Sequence, residues 1–228
     1  MPFGPFRRQR AKDERARAER RPEVAGDATA QRIVNGIHSV DWGRLEHAYG
    51  PAGDVAELLE ALTFGDEAAR TAAWNELWGN VHHQGTVYEA TVPAVEVIAD
   101  LARWDAFPDR REALCMLGAF AEGDGRHASD VAAAVRERSD EMVRQWADEP
   151  EPVQRALLML SRSVGLENDD LRRAVLPDRL AWAWERGTVR DIWARFGDGP
   201  ILERQYEEAF DAEMDALSEL EGWAFSEE

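Results

Sequence analysis

The chain has 228 residues, of which 44% are hydrophobic and 9% aromatic, a composition typical of a globular protein. It contains no run of about 18 apolar residues, and its first residues lack the apolar core of a secretory signal. We therefore expect a soluble, cytoplasmic protein that does not enter a membrane.

Charge is divided unevenly along the chain. Residues 1–22 carry eight basic and three acidic residues, which leaves 19 basic and 42 acidic residues, a net charge of −23, for residues 23–228. Nucleic-acid binding by the acidic part is disfavoured, because phosphate contacts need a basic stripe. Such a surface favours a basic protein partner, although solubility alone also explains it.

Two residue counts limit the chemistry. Lys12 is the single lysine, so a Schiff-base lysine or a phosphate-loop lysine is disfavoured, and the preference for arginine indicates a GC-rich bacterial genome. Cys115 is the single cysteine, which rules out an intrachain disulfide. It lies in an apolar run, so we predict a buried small side chain and not a nucleophile.

The N-terminal stretch has no side to bury. Residues 7–22 contain good helix formers but no apolar face. We expect residues 1–26 to be a basic arm, either disordered or a frayed helix.

A helical pattern then recurs with a period of about 40 residues. The aligned segments are Arg70-x-x-Ala73-Trp74-x-x-Leu77, Arg110-x-x-Ala113-Leu114-x-x-Leu117 and Val153-x-x-Ala156-Leu157-x-x-Leu160. Each precedes a second predicted helix, at 87–103, 127–148 and 168–186. HEAT and armadillo repeats have this period. The pattern predicts an all-α fold over residues 27–222, a right-handed α-solenoid of helical hairpins without a β-sheet.

The segment NVHHQGTVYEATVP, residues 80–93, is predicted to be a structural corner between two helices. Gly85 stands where the first helix must stop, and Thr86 with Glu89 has the spacing of a capping box. His82 and His83 point about 100° apart on a helix and lack further ligands in sequence, so we predict no metal site. One imidazole is expected to bond the last carbonyls of the preceding helix.

The span from Ala73 to Leu101, with its W-x-x-L helix and HQGT-x-YEA corner, resembles HEAT-like repeat proteins of actinobacteria. The resemblance is clear over residues 40–105 and implies an α-solenoid that acts mostly as a binding scaffold. It carries over no catalytic residue and no cofactor. Relatives of that group include phycobilin lyase-type repeats and HEAT-like DNA glycosylases, but this chain lacks the basic groove that DNA binding needs.

Tryptophans near the C-terminus are candidate binding residues. Trp182, Trp184 and Trp193 lie close together in sequence, and Trp182 and Trp184 cannot share one helix face. An exposed tryptophan is a frequent anchor in interfaces, although core packing is the commoner use.

The C-terminal stretch is predicted to be an amphipathic capping helix with an acidic outer face. Phe210, Met214, Leu217 and Leu220 recur at helical spacing and shield the last core stripe. Residues 223–228 are expected to be an acidic tail.

These features favour a non-catalytic protein-binding module, in a narrower form an immunity- or antitoxin-like inhibitor of a basic protein. The alternative is an enzyme, either a hydrolase that uses a carboxylate pair or a HEAT-like lyase, with its site in the concave groove. Acids and aromatics that converge in a closed pocket would favour the enzyme, and acids spread over an open face would favour the binding module.

Overall fold

The computed structural model describes residues 27–185 and residues 204–225, with side chains of the second stretch described from Asp211 onward. The predicted arm at residues 1–26 and Trp193 lie outside the described residues. The described stretches contain ten α-helices: α1, Ala28–His38; α2, Val55–Phe64; α3, Glu67–Asn80; α4, Thr91–Arg103; α5, Arg110–Glu122; α6, Ala128–Arg144; α7, Glu151–Ser163; α8, Asp169–Val175; α9, Ala181–Trp184; and α10, Arg204–Phe225. This helical content confirms the predicted all-α class.

The prediction that the fold has no β-sheet is wrong, because two antiparallel pairs of two-residue strands stand at helix corners. The strands are β1, Glu46–His47; β2, Gly50–Pro51; β3, His82–His83; and β4, Thr86–Val87. A glycine with positive φ reverses the chain in each pair, Gly50 at 123° and Gly85 at 85°. Strands of two residues are too short to produce an alternating pattern, so periodicity could not reveal them.

The three aligned segments form α3, α5 and α7, and their small residues are buried. Ala73, Ala113 and Ala156 are at most 2% exposed. Helix α5 packs against α4, α6 and α7, and α4 packs against α6. Close approach of several helices to α5 explains the small side chain of Ala113.

The second helix of each hairpin is shorter than predicted. Helix α4 begins at Thr91 instead of residue 87, which places Pro93 in its first turn, where no intrahelical hydrogen bond is lost. Helix α8 ends at Val175, two residues before Pro177. It begins at Asp169, one residue after the predicted start, with acids in its first turn after the cap Asn168, whose side chain accepts from the Leu171 N–H.

Pairs of an arginine and an acid join the N-terminal ends of α3, α5 and α7. Arg70 Nε lies 2.7 Å from Asp109 Oδ2, and Trp74 Nε1 donates to the same oxygen over 3.2 Å. One hairpin further, Arg110 Nη2 lies 2.6 Å from Glu149 Oε1. The side chains of Arg70 and Arg110 are only 15% and 11% exposed. These charge-assisted bonds therefore link adjacent hairpins in surroundings that exclude much of the solvent.

Helix α10 packs against α7 and α9 at the C-terminal end of the fold. Leu217 and Leu220 of the predicted apolar stripe are buried and Met214 is half-buried, whereas the side chain of Phe210 lies outside the described residues. The helix also extends beyond the predicted end at residue 222. Residues 223–225 belong to it, with Ala224 fully buried, and so are not part of an acidic tail.

Candidate functional site

The corner between α3 and α4 is a β-hairpin, and the predicted capping box is not formed. Thr86 lies in β4, and the helix begins five residues later at Thr91. The Thr91 hydroxyl closes the corner, because it accepts from the Tyr88 N–H at 2.8 Å and donates to the Val81 carbonyl at 2.6 Å. Glu89 stands before this helix and not in its first turn. The corner is therefore closed by the side chain of Thr91 and not by the predicted Thr86.

The corner is hydrogen-bonded to the loop of the next hairpin. The Val87 N–H donates to the Asp124 carbonyl at 3.0 Å, and the Asp124 N–H donates to the Gly85 carbonyl at 2.8 Å. The Thr86 hydroxyl donates to the Asp124 carboxylate at 2.6 Å. These bonds join the corner between α3 and α4 to the loop between α5 and α6, and they give the polar groups of both segments structural partners.

The two adjacent histidines have different surroundings. Tyr49 Oη lies 3.1 Å from His83 Nδ1, a contact with the preceding hairpin and not with a helix carbonyl. The His82 ring packs edgewise on Trp78, with centroids 5.4 Å apart, and also contacts Phe120. Burial lowers the pKa of His82, and the charge of Asp124 opposes this shift. Across residues 27–185 and 204–225, no group of three or more His, Cys, Asp or Glu side chains is placed to hold a metal ion.

A cavity of about 330 Å³ lies where the C-terminal ends of α3, α5 and α7 meet α10. This volume is at the lower end of the range for small-molecule sites. Its apolar wall consists of Trp78, Leu114, Met159, Leu160, Leu217 and Phe225. Its polar or ionisable side chains are His82, Cys115, Glu122, Arg162, Ser163 and Glu221.

Two carboxylates face the cavity from different helices. Glu122 is the last residue of α5 and accepts a hydrogen bond from the Ser163 hydroxyl at 2.5 Å. Glu221 is exposed at the mouth, on α10. Partial desolvation raises the pKa of Glu221, the charge of Glu122 raises it further, and Arg162 acts in the opposite direction. The two acids therefore repel each other across this space.

Arg162 at the end of α7 is directed toward α9. Its Nη2 donates to the Trp184 carbonyl at 3.1 Å, and its guanidinium lies 5.0 Å from the centroid of the Trp184 ring. Stacking on the ring and bonding to the carbonyl hold the cation against the wall. Arg162 thus offsets part of the negative charge of the cavity.

Cys115 lines the same cavity but is not an activated thiol. Burial raises its pKa from the ordinary value of 9.0 to about 12, and the charges of Glu112 and Glu221 act in the same direction. Nucleophilic cysteines have a lowered pKa, and the thiolate is the reactive form. Cys115 is half-buried and not fully buried as predicted, but its raised pKa agrees with a packing residue and not with a nucleophile.

The tryptophans predicted as binding residues differ in exposure. Trp182 is 45% exposed, whereas Trp184 is half-buried under Arg162. Trp193 lies outside the described residues. In the described part of the chain the large hydrophobic side chains classed as exposed are Trp182 and Tyr49, which is 67% exposed in the turn between β1 and β2.

Sequence reasoning missed Glu122, Ser163, Arg162 and Glu221. One signal was present, because Glu122 ends the helix after nine uncharged residues, 113–121, at a position where a negative charge opposes the helix dipole. Its distance in sequence from Ser163, 41 residues, also matches the repeat period. The position of α10 over these groups could not be read from the chain.

Comparisons with family models, with curated proteins and with solved structures found no match to this chain. No helix among the described residues is both long enough and apolar enough to cross a membrane.

Proposed function

We propose that the chain is a HEAT-like, right-handed α-solenoid of actinobacterial type that acts as a non-catalytic scaffold and binds a basic protein. The contacts of α5 with both neighbouring hairpins support the repeat arrangement. The distribution of ion pairs, described next, supports the nature of the partner.

The observation that carries the proposal is that exposed acids outnumber exposed arginines: within residues 27–185, 18 acidic residues and eight arginines are exposed. Arg70, Arg110 and Arg138 have side chains at most 25% exposed and pair with acids of other elements or loops. Several exposed acids within residues 27–185 form no ion pair there: Glu57, Glu67, Glu76, Asp130, Glu137 and Asp148. The outward-facing charge of these residues is thus net negative, which favours steering of a basic partner.

Exposed aromatic side chains supply anchors for such a surface. Tyr49 and Trp182 each present an apolar body with a polar tip, and these residue types dominate the binding energy of many interfaces. A narrower form of the proposal is an immunity- or antitoxin-like inhibitor whose acidic surface covers a basic toxin domain. Failure to bind any basic toxin encoded beside its gene would contradict that narrower form.

Affinity capture from native cell lysate with the full-length chain tests the proposal. We expect one basic protein that is retained at low salt and released at high salt, because screening weakens contacts between surface charges. Recovery of partners that are insensitive to salt would contradict it.

Two triple variants with the same change in charge sharpen the test. One replaces Glu57, Glu67 and Glu76 by glutamine, and the other replaces Asp130, Glu137 and Asp148 by their amides. The variant whose residues lie in the surface that contacts the partner should bind it on the order of tenfold more weakly than the native chain. The other variant should bind with unchanged affinity. Equal affinity of both variants and the native chain would contradict electrostatic capture.

A second candidate function is an enzyme that acts in the cavity. Glu122 and Glu221 support it, because a carboxyl with a raised pKa beside a second carboxylate is the arrangement that acid–base hydrolysis uses. Turnover of a panel of chromogenic glycosides and esters, lost in both Glu122→Gln and Glu221→Gln, would support the enzyme. Turnover that persists in both variants would exclude a role for this pair.

A further inference from the structure

We propose that the cavity between α5, α7 and α10 is the binding site for a lysine side chain of the basic partner. This inference rests on the proposed function and adds to it the position and chemistry of one contact. Three properties of the cavity support it: its apolar wall, its pair of carboxylates and the separation of those carboxylates on different helices.

The apolar wall matches the stem of a lysine. Leu114, Leu160 and Leu217 line the cavity and are 1–5% exposed, so its inner surface is largely hydrocarbon. Four methylene groups gain by leaving water for such a surface, while the charged head stays near the mouth. The volume of about 330 Å³ is ample for one such side chain.

The charges around the mouth match an ammonium group. Glu122 and Glu221 face the cavity, and Arg162 is held against Trp184 at its wall. The other titratable groups that line the cavity are His82, whose pKa is lowered, and Cys115, whose thiol stays protonated. A bound cation would relieve the repulsion between the two carboxylates and form charge-assisted hydrogen bonds with both.

The placement of the two acids favours lysine over arginine. A guanidinium bonds best to two coplanar oxygens of one carboxylate. Glu122 already accepts from Ser163 through Oε1, and Glu221 belongs to a different helix. A compact ammonium with three donors can bond one oxygen of each acid, which a planar fork cannot do as well.

Methyl NMR of the full-length chain tests the site without the partner. The chain has five methionines, and Met159 lines the cavity, so ¹³C-methyl labelling gives one reporter and four internal controls. The probes are lysine, norleucine and arginine, each acetylated at the N-terminus and methylamidated at the C-terminus. Norleucine has the same stem as lysine but no ammonium.

We expect the lysine probe to shift the Met159 signal in a saturable way and to bind at least about tenfold more tightly than the norleucine probe. Glu122→Gln and Glu221→Gln should each remove most of that difference. Asp215→Asn, a change of an exposed acid on α10 that does not line the cavity, should leave the affinity unchanged.

Equal binding of lysine and norleucine, tighter binding of arginine, or an unchanged Met159 signal would each overturn the inference. Failure of the proposed function is a separate result. A captured basic protein that binds Glu122→Gln and the native chain equally well would leave the scaffold proposal standing and exclude the lysine site. A lysine-specific shift of the Met159 signal, together with failure to capture any protein partner, would support the lysine site and contradict the scaffold proposal.

Discussion

The two ends of helices α3, α5 and α7 use charge in opposite ways. At the N-terminal ends, Arg70 pairs with Asp109 and Arg110 pairs with Glu149, so opposite charges meet between hairpins. At the C-terminal ends, Glu122 faces Glu221 across a cavity. The first arrangement serves the stability of the fold. The repulsion between Glu122 and Glu221 opposes stability, although Glu122 also accepts a hydrogen bond from Ser163, and a cavity whose charges oppose stability is a candidate for function.

The largest expected effect concerns Cys115 at the cavity end. Its pKa of about 12 compares with an ordinary 9.0, so the thiolate fraction at pH 8 should be on the order of 10³-fold lower in the folded chain than in the unfolded chain. Alkylation by iodoacetamide, followed by mass spectrometry with and without urea, measures this ratio. Rates within tenfold of each other would mean that water reaches the thiol and that the cavity is open.

At the opposite end we expect Asp109→Ala to lower the free energy of unfolding by about 3 kcal/mol, because it leaves the poorly exposed Arg70 without its carboxylate. Urea unfolding followed by circular dichroism measures the loss. Asp105→Ala is the matched control, since Asp105 contacts Arg110 but its side chain is 92% exposed. Its effect should stay under about 0.5 kcal/mol. Similar losses in both variants would contradict a special role for the first pair.

Gly123, directly after α5, tests how tightly the corner packs. A Cβ there would lie 2.5 Å from Val87 Cγ1, so Gly123→Ala should lower the free energy of unfolding by about 2 kcal/mol. Gly222→Ala in α10 is the control, because nothing lies within 4 Å of its added Cβ. That control should gain about 0.5 kcal/mol from helix propensity. A Gly123→Ala chain as stable as the native one would show that Val87 and the corner can shift to accommodate the added methyl group at little cost.

The smallest expected effect comes from Glu221→Gln. A carboxyl with a raised pKa binds its proton more tightly in the folded chain, so native stability should fall as pH rises from about 4.5 through the raised value. Glu221→Gln should lack this fall and be slightly more stable above that window. Because Glu221 is exposed, solvent screening keeps the difference well below about 1 kcal/mol. Thermal melts from pH 4 to pH 7 measure this difference in stability, with Asp215→Asn as the control. Parallel pH curves for the native chain, Glu221→Gln and Asp215→Asn would contradict repulsion at the cavity.

The sequence predicted the helices well where their own residues decide them. The apolar positions of α3, α5 and α7 recur at helical spacing, and α8 begins one residue after its predicted start. Prediction failed at the corner of α3 and α4, because the Thr86–Glu89 spacing fits a capping box and a hairpin strand equally well. The contact of Thr86 with Asp124, 38 residues away, favours the strand.

The candidate site was predicted less well than the fold. The spacing of Trp182 and Trp184 indicated that they point to different sides of a helix, but it did not indicate which of them is exposed; the structure shows that Trp182 is 45% exposed. The cavity did not follow, because its groups come from helices that are far apart in the chain. Glu122 and Glu221 lie 99 positions apart.

The sequence by itself therefore determined the helical class, the period of about 40 residues, the net negative charge and the absence of the lysines that several mechanisms need. These properties depend on composition and on local spacing, which each stretch of chain carries on its own. Only the tertiary structure decided which charges are neutralised and which face each other. That outcome depends on how the helices pack and on the position of α10. There the pKa of Glu221 is set by its desolvation and by the nearby charges of Glu122 and Arg162, and not by residue type alone.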